Sequence, residues 1–204
     1  MLNSVELIGF YGGDVTHALS AWTSTSRTLT PAKRKRIPAL LKMLAENGHH
    51  TPFEKSDLHF LVTSDIATHI HFLKHRIGVS INAESARYKE LQDKYYVPFD
   101  WPEELMDDFE YEVREAFRKY HNYIEQLEGL GFTRSRAKES ARYILPYANQ
   151  LTMDVMFNFR SFMHFVELRA DDHAQLEVQL IAKEMLRLVQ DTGEFTHSLA
   201  AFGR

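Results

Sequence analysis

The strongest constraint on the fold is a long amphipathic stretch from Pro102 to Gly129. Its large apolar side chains recur in steps of three or four, at Leu105, Phe109, Val113, Phe117, Tyr120, Ile124 and Leu127. That spacing places them on one side of an α-helix, with mainly charged residues on the other faces. Gly129 and Gly131 mark its end, as glycines often do. Such a helix needs other elements to cover its apolar stripe, so we expect it to be core and scaffold.

Three other stretches alternate between apolar and polar residues, which predicts β-strands. They are residues 5–10, 57–64 and 150–159. Together with the helical stretches, these strands predict a mixed α+β fold, in which several helices pack with a small, mostly antiparallel sheet. The chain contains no internal repeat or low-complexity linker, so we expect one domain over residues 1–204.

Shorter helices are predicted from helical spacing and capping residues. One begins near Pro38 after the basic residues 33–36 and ends at Gly48, and a second follows Ser64 or Asp65 with Ile66, Ile70 and Leu73 facing inward. Two more follow Thr133 and Asp171 or Asp172. Residues 12–30 show no periodicity and predict an irregular segment.

Composition excludes several classes of protein. The net charge of −4 argues against unspecific binding to a nucleic acid polymer. No run of eighteen apolar residues is present and the N-terminus lacks the pattern of a signal peptide, so we expect a soluble, cytoplasmic protein with no membrane partner. Cysteine is absent, which excludes disulfides, cysteine metal ligands and thiol nucleophiles.

The densest group of functional residue types lies between His71 and Glu90. Lys74, His75 and Arg76 are adjacent, and neighbouring side chains on a helix point about 100° apart. They therefore fan outward, which suits a polyanion held from several sides. Ser85 and Arg87 add a hydroxyl and a second guanidinium, both good phosphate donors. A solvated basic turn is the alternative interpretation, although interleaved apolar residues favour a site at the rim of the core.

Histidine spacing in the same region allows a different function. His71 and His75 are four residues apart and could bind a metal ion from one helix face. No Glu follows His71 as it does in the metalloprotease pattern. A histidine-ligated metal hydrolase built on His69, His71 and His75 is thus one alternative, whereas our main interpretation includes no metal.

Several motifs together resemble one family. Lys74-His75-Arg76, separated by eight residues from Ser85, is similar to the Arg-His-Arg…Ser signature of the flavin-dependent thymidylate synthases. His49 with Thr51-Pro52-Phe53-Glu54 resembles the upstream loop of that family, and residues 141–146 resemble its Ala-Arg-x-x-Leu-Pro segment. Residues 158–161, 168–170 and 173–175 resemble its C-terminal block. These segments follow the family's order between residues 49 and 179.

The resemblance implies a homotetramer that binds FAD, dUMP, NADPH and methylene-tetrahydrofolate. Its reaction transfers the methylene group to carbon 5 of uracil and reduces it there, which yields dTMP. The lack of cysteine agrees with this family, because the other class of thymidylate synthase needs a Cys nucleophile. The flavin carries the redox chemistry, and the protein positions the rings and stabilises charge. The resemblance also implies active sites shared between subunits.

The resemblance assigns roles residue by residue. Arg169 is expected to be the catalytic residue, because it would stabilise the anionic uracil ring that makes carbon 5 nucleophilic. The residues expected to bind dUMP are His71, Lys74, Glu84, Ser85, Ala86, Arg87, Arg142 and Arg169. Those expected to bind FAD are Thr51, Lys74, His75, Arg76, Ile77, Asn82, Glu84, Asn158, Arg160 and His164.

The chain departs from the family pattern at four of these positions. Lys74 replaces the first Arg of the signature and loses its bidentate fork. His71 stands where the family usually has Gln, His164 stands where an amide is common, and Glu84 lies one position later than the family's Glu. A second alternative function therefore is a nucleotide-binding module that has lost turnover.

Overall fold

The computed structural model describes residues 2–204 and contains a mixed α+β fold, as predicted. The strands are β1 (Ser4–Tyr11), β2 (Asp57–Asp65), β3 (Val79–Ala83) and β4 (Gln150–Asn158). The α-helices are α1 (Asp14–Ala21), α2 (Pro31–Glu46), α3 (Ile66–Phe72), α4 (Glu103–Gly129), α5 (Arg134–Ala141), α6 (Phe159–Arg169), α7 (Leu176–Asp191) and α8 (Thr196–Ala201). Within this part of the chain, no helix is both long and apolar enough to cross a membrane.

The sheet has four strands in the order β1-β2-β4-β3. Pairing of β3 with β4 is antiparallel, because Asn158 N donates to Gly78 O and Glu84 N donates to Thr152 O, both at 2.9 Å. Between β2 and β4, Thr63 faces Thr152 and His59 faces Asp154, so this pair is antiparallel too. Alternate residues of the two central strands are buried, at Leu58, Phe60, Val62, Met153, Val155 and Phe157. The predicted small antiparallel sheet is confirmed.

The chain divides into two compact units. The first unit contains the described residues up to Ser4, together with Val62–Leu73 and Asn82–Met153; the second contains Val5–Leu61, Lys74–Ile81 and Asp154–Arg204. In the first unit, Val113, Phe117, Tyr120 and Ile124 of α4 pack in one buried cluster with alanines of α5. This confirms the predicted apolar stripe except at Leu105, which is 55% exposed. The single domain over residues 1–204 stays a prediction.

Four details of the predicted secondary structure were wrong. Helix α2 begins at Pro31 rather than near Pro38, because the Thr30 side chain caps it by accepting from Lys33 N at 3.2 Å. Residues 12–30 contain α1 and are not irregular throughout. Helix α3 buries Thr68, His69 and Phe72, so Leu73 does not face inward. Helix α7 begins at Leu176 after Gln175, and neither Asp171 nor Asp172 caps it.

A buried polar chain crosses the aromatic core of the second unit. Ser198 Oγ donates to Asp14 Oδ1 at 2.6 Å, because a carboxylate only accepts. The Ser198 oxygen must then accept from His17 Nδ1–H at 2.8 Å, and His17 Nε2 accepts from the Ser56 hydroxyl at 2.7 Å. His17 is fully buried, and this burial lowers its pKa from 6.5 to about 4. The imidazole is therefore neutral and carries its proton on Nδ1.

Candidate functional site

The segment Lys74–Gly78 lies between α3 and β3 and is fixed by a glycine turn. Gly78 has a φ of +64°, and a Cβ there would come within 2.2 Å of Asn158 Nδ2 and 2.4 Å of Ser161 Oγ. The Asn158 side chain caps α6 by accepting from Ser161 N at 2.8 Å. Only glycine permits both the turn and this close approach. Gly78, at the end of the cationic segment Lys74–Gly78, is thus held against the N-terminus of α6.

A cavity of about 410 Å³ in the second unit brings many of the predicted residues together. It is lined by Lys74, His75, Arg76, Ile77, Val79, Arg160, Ser161 and His164. Lys74, Arg76 and Arg160 supply permanent positive charge, while Ile77 and Val79 supply apolar surface. Such a set fits an anionic diphosphate joined to an apolar ring system. Sequence analysis had not assigned Val79 or Ser161 to the site, although Ser161 belongs to the quoted C-terminal block.

Arg169 and His75 are joined by a hydrogen bond. Arg169 Nε donates to His75 Nε2 at 3.1 Å, so this ring nitrogen carries no proton. The His75 ring also packs edge-on against Phe165 of α6, with centroids 5.0 Å apart. Arg169, the last residue of α6, is therefore held beside the cationic segment by direct contact.

The Thr51 motif approaches the same cavity through an ion pair. Residues Thr51–Glu54 form a short 3-10 helix, and Glu54 Oε1 lies 3.9 Å from Arg160 Nε. Phe53 is fully buried and anchors this turn, whereas Thr51 is exposed. The pair is partly solvated, so its main effect is to orient Arg160.

The remaining predicted residues lie in the first unit. Ser85 Oγ accepts from Arg87 N at 3.3 Å, and the Arg87 guanidinium pairs with Glu139 of α5 at 3.3 Å. Glu84 accepts from Thr152 N at 3.2 Å and forms an ion pair with Lys89. His71 occupies the last turn of α3, and Asn82 is exposed on β3.

A second cavity of about 410 Å³ lies entirely in the first unit. Glu84, Ala86 and Arg142 line it together with Tyr143, Tyr147 and Asn149. Asn149 is almost fully buried, and its Oδ1 has no hydrogen-bond partner among the described residues. A buried acceptor of this kind requires a donor, which a ligand can supply. Tyr143, Tyr147 and Asn149, which line this cavity, were not among the predicted site residues; their position around Leu145 and Pro146 of the Ala-Arg-x-x-Leu-Pro segment was the available signal.

The geometry gives the metal hydrolase hypothesis no support. Among residues 2–204, no three His, Asp or Glu side chains come together in an arrangement that could hold a metal ion. His69 is buried, and desolvation by this burial lowers its pKa. Its Nδ1 has no hydrogen-bond partner within the described residues.

The cavity lined by Lys74, Arg76 and Arg160 on a mixed α+β scaffold is suited to a phosphate-bearing ligand. A more specific identification follows from the match of residues 6–192 to the family model for thymidylate synthase complementing protein. The chain belongs to this family. The resemblance that the motifs indicated is therefore confirmed.

Curated relatives and solved structures agree with this assignment. The flavin-dependent thymidylate synthase of Thermosipho melanesiensis is 32% identical, over 94% of this chain and 87% of its own length. The enzyme of the same name from Thermotoga neapolitana is 31% identical, over 95% of this chain and 88% of its own. Among solved structures, the UMP/dUMP methylase PolB of Streptomyces cacaoi, with bound 5-Br dUMP, is similar with a TM-score of 0.78 at 26% identity. That match covers 98% of this chain and 94% of PolB.

Proposed function

We propose that this protein is a flavin-dependent thymidylate synthase, which methylates dUMP reductively to dTMP. The observation that carries the proposal is the grouping of Lys74, His75, Arg76, Arg160 and His164 around one cavity in a chain of this family. Relatives that share most of the chain carry the same activity in their names. Methylene-tetrahydrofolate is the carbon donor and NADPH the reductant.

The second-unit cavity is the proposed site for FAD. Bound FAD supplies the reducing equivalents that convert the transferred methylene group to a methyl group. Lys74, Arg76 and Arg160 would bind its diphosphate, and Thr51, Ile77, Asn158 and His164 would complete the contacts. The other FAD residues in this proposal are His75, Asn82 and Glu84.

The proposed dUMP residues act by positioning and by charge. Ser85, Ala86, Arg87 and Arg142 would bind the nucleotide, chiefly through its phosphate, with His71, Lys74 and Glu84 as further contacts. Arg169 would lie along the pyrimidine edge and stabilise negative charge that develops on the ring. Asn149, with its unpartnered buried oxygen, is added here as a candidate acceptor for a nucleotide donor.

The direct test is product formation. Purified protein loaded with FAD, under nitrogen, is expected to convert dUMP to dTMP when methylene-tetrahydrofolate and NADPH are both present, as measured by chromatography. Omitting the folate should abolish dTMP. Bound FAD and bound dUMP without any dTMP would contradict the proposal and favour the inert nucleotide-binding module.

Assembly into a homotetramer is part of the same proposal, with active sites shared between subunits. Large apolar side chains are exposed on the first unit, including Tyr143 at 82% and Leu130 at 76%. On the second unit, Leu180 of α7 is exposed at 45%. A tetramer with D2 symmetry would cover such surfaces. The cytoplasmic location likewise stays a prediction.

Light scattering on the FAD-loaded protein is expected to give the mass of a tetramer that persists on dilution. Leu130→Glu, which places a charge on the exposed apolar surface, should lower that mass, whereas Glu125→Gln on the exposed face of α4 serves as the matched control. A wild-type monomer with full dTMP formation would exclude shared active sites.

A further inference from the structure

His121 of α4 lies between two carboxylates. Its Nδ1 is 2.6 Å from Glu90 Oε1, and its Nε2 is 2.7 Å from Asp93 Oδ1. Ionised carboxylates only accept hydrogen bonds, so each contact requires an N–H on the ring. The imidazolium has two N–H groups, whereas neutral imidazole has one and would turn a lone pair towards the other carboxylate. The contacts therefore require His121 in its charged form.

The charged groups around His121 come from three elements. Glu90 and Asp93 belong to the segment that follows Ser85 and Arg87. From α5, Arg134 donates to Glu90 Oε2 and to Glu128 of α4, both at 2.6 Å. Tyr120 of α4 lies beside the ring, with centroids 5.0 Å apart. Burial lowers the pKa of His121, but the hydrogen bonds and charges of Asp93 and Glu90 outweigh burial, so that its pKa is raised above 6.5.

The segment carrying Ser85 and Arg87 depends on side-chain contacts for its position. Residues 85–93 form neither helix nor strand, and backbone hydrogen bonds to β4 hold only their flanks, from Glu84 N to Thr152 O and from Gln150 N to Lys94 O, both at 2.9 Å. Instead, Leu91 N donates to the Tyr120 hydroxyl at 3.1 Å, and Lys138 Nζ of α5 donates to Tyr88 O at 3.1 Å. Glu90 and Asp93 add the two contacts to His121. The α4–α5 hairpin thus holds this segment at several points.

We propose that His121 is a positioning residue for dUMP: its charged ring holds residues 90–93 against α4 and thereby sets the position of Arg87. The inference rests on the proposed function, which assigns Ser85 and Arg87 to dUMP. Loss of the ring proton removes one of the two hydrogen bonds. Asp93 is the partner that is released, because its side chain is 60% exposed, while Glu90 is also held by Arg134.

The test compares wild type with His121→Arg, a permanent cation, and His121→Gln, which is always neutral. The Kd for dUMP is measured calorimetrically in steps from about pH 6 upwards, because the raised pKa of His121 places its titration above the ordinary value. The Kd of wild type should equal that of the Arg variant at low pH and that of the Gln variant at high pH. The expected change in Kd is about two- to fivefold, which is typical of one partly exposed ion pair. The dUMP phosphate titrates alike in all three experiments, so ratios between proteins are compared.

Amide hydrogen exchange of residues 85–95 without dUMP supplies an independent measurement. At high pH, wild type and His121→Gln should exchange faster there than His121→Arg, all at the same pH. Asp93→Asn, which no longer needs a charged His121, should have a weaker pH dependence. Kd ratios that do not change with pH would overturn the proposal. If neither wild type nor any variant binds dUMP, both the proposed function and the role of His121 in positioning dUMP are wrong. The exchange rates then show only whether His121 holds the segment.

Discussion

Arg169→Ala is expected to lower the turnover of dUMP about a hundred- to a thousandfold, or by roughly 3–4 kcal/mol of transition-state stabilisation. The guanidinium is proposed to meet charge that develops on the uracil ring, so its contribution is larger in the transition state than in the ground state. Saturating dUMP should therefore not restore the rate. FAD content, read from the absorption spectrum, is expected to persist, because the FAD site is assigned to other residues.

Two matched variants separate this chemical role from other effects. Arg169→Lys can still donate a hydrogen bond to His75, but it lacks the planar fork, so we expect it to recover little activity. Arg87→Ala should mainly raise the KM for dUMP, and high dUMP should restore part of its rate. If saturating dUMP rescues Arg169→Ala as well as it rescues Arg87→Ala, Arg169 only anchors the nucleotide.

Acidification should destabilise the protein through His17. Its pKa is lowered by burial from 6.5 to about 4 in the folded chain. Between these values the unfolded chain binds a proton that the folded chain does not, so the free energy of unfolding falls as pH falls. At 1.36 kcal/mol per unit of pKa, this single group accounts for a loss of about 3 kcal/mol between pH 6.5 and pH 4. Above pH 6.5 the contribution is fully present.

Urea unfolding at several pH values, followed by circular dichroism at one protein concentration, measures this loss. His17→Gln should be less stable than wild type at pH 7, because Ser56 and Ser198 lose a buried partner, but it should lose less stability on acidification. His197→Gln, which replaces an exposed histidine on α8, controls for the removal of a histidine. If the free energies of unfolding of wild type and His17→Gln fall equally on acidification, the loss of stability arises from other groups.

The comparison of sequence and structure shows which elements could be predicted. Strands β2 and β4 could be predicted because apolar residues alternate in both and are buried, at Leu58, Phe60 and Val62 in β2 and at Met153, Val155 and Phe157 in β4. Helix α1 was not legible, because its buried residues include Asp14 and His17. Their partner Ser198 lies more than 180 positions away, and local periodicity cannot predict such a contact. The buried face of α3 was predicted wrongly for a similar reason, because polar residues lie on it.

The candidate site was predictable where motifs name residue types in order, and less so where contacts are long-range. Lys74, Arg76 and Arg160 were all assigned to FAD, Lys74 also to dUMP, and they line one cavity. The hydrogen bond from Arg169 to His75 joins residues 94 positions apart, and no sequence pattern indicates it. Asn149 was not predicted because the feature that marks it, a buried side-chain oxygen without a hydrogen-bond partner among the described residues, can be seen only in the folded structure.

The cationic segment touches α6 at both ends of the helix. At the N-terminus Gly78 O accepts from Asn158 N, while at the C-terminus His75 accepts from Arg169, about 15 Å further along an eleven-residue helix. The segment and the helix are consequently linked at two points. A ligand that displaces His75 or Arg76 must either break one of these attachments or carry α6 with it. Because one helix carries both residues, we expect a ligand bound at Arg160 to move Arg169 together with α6.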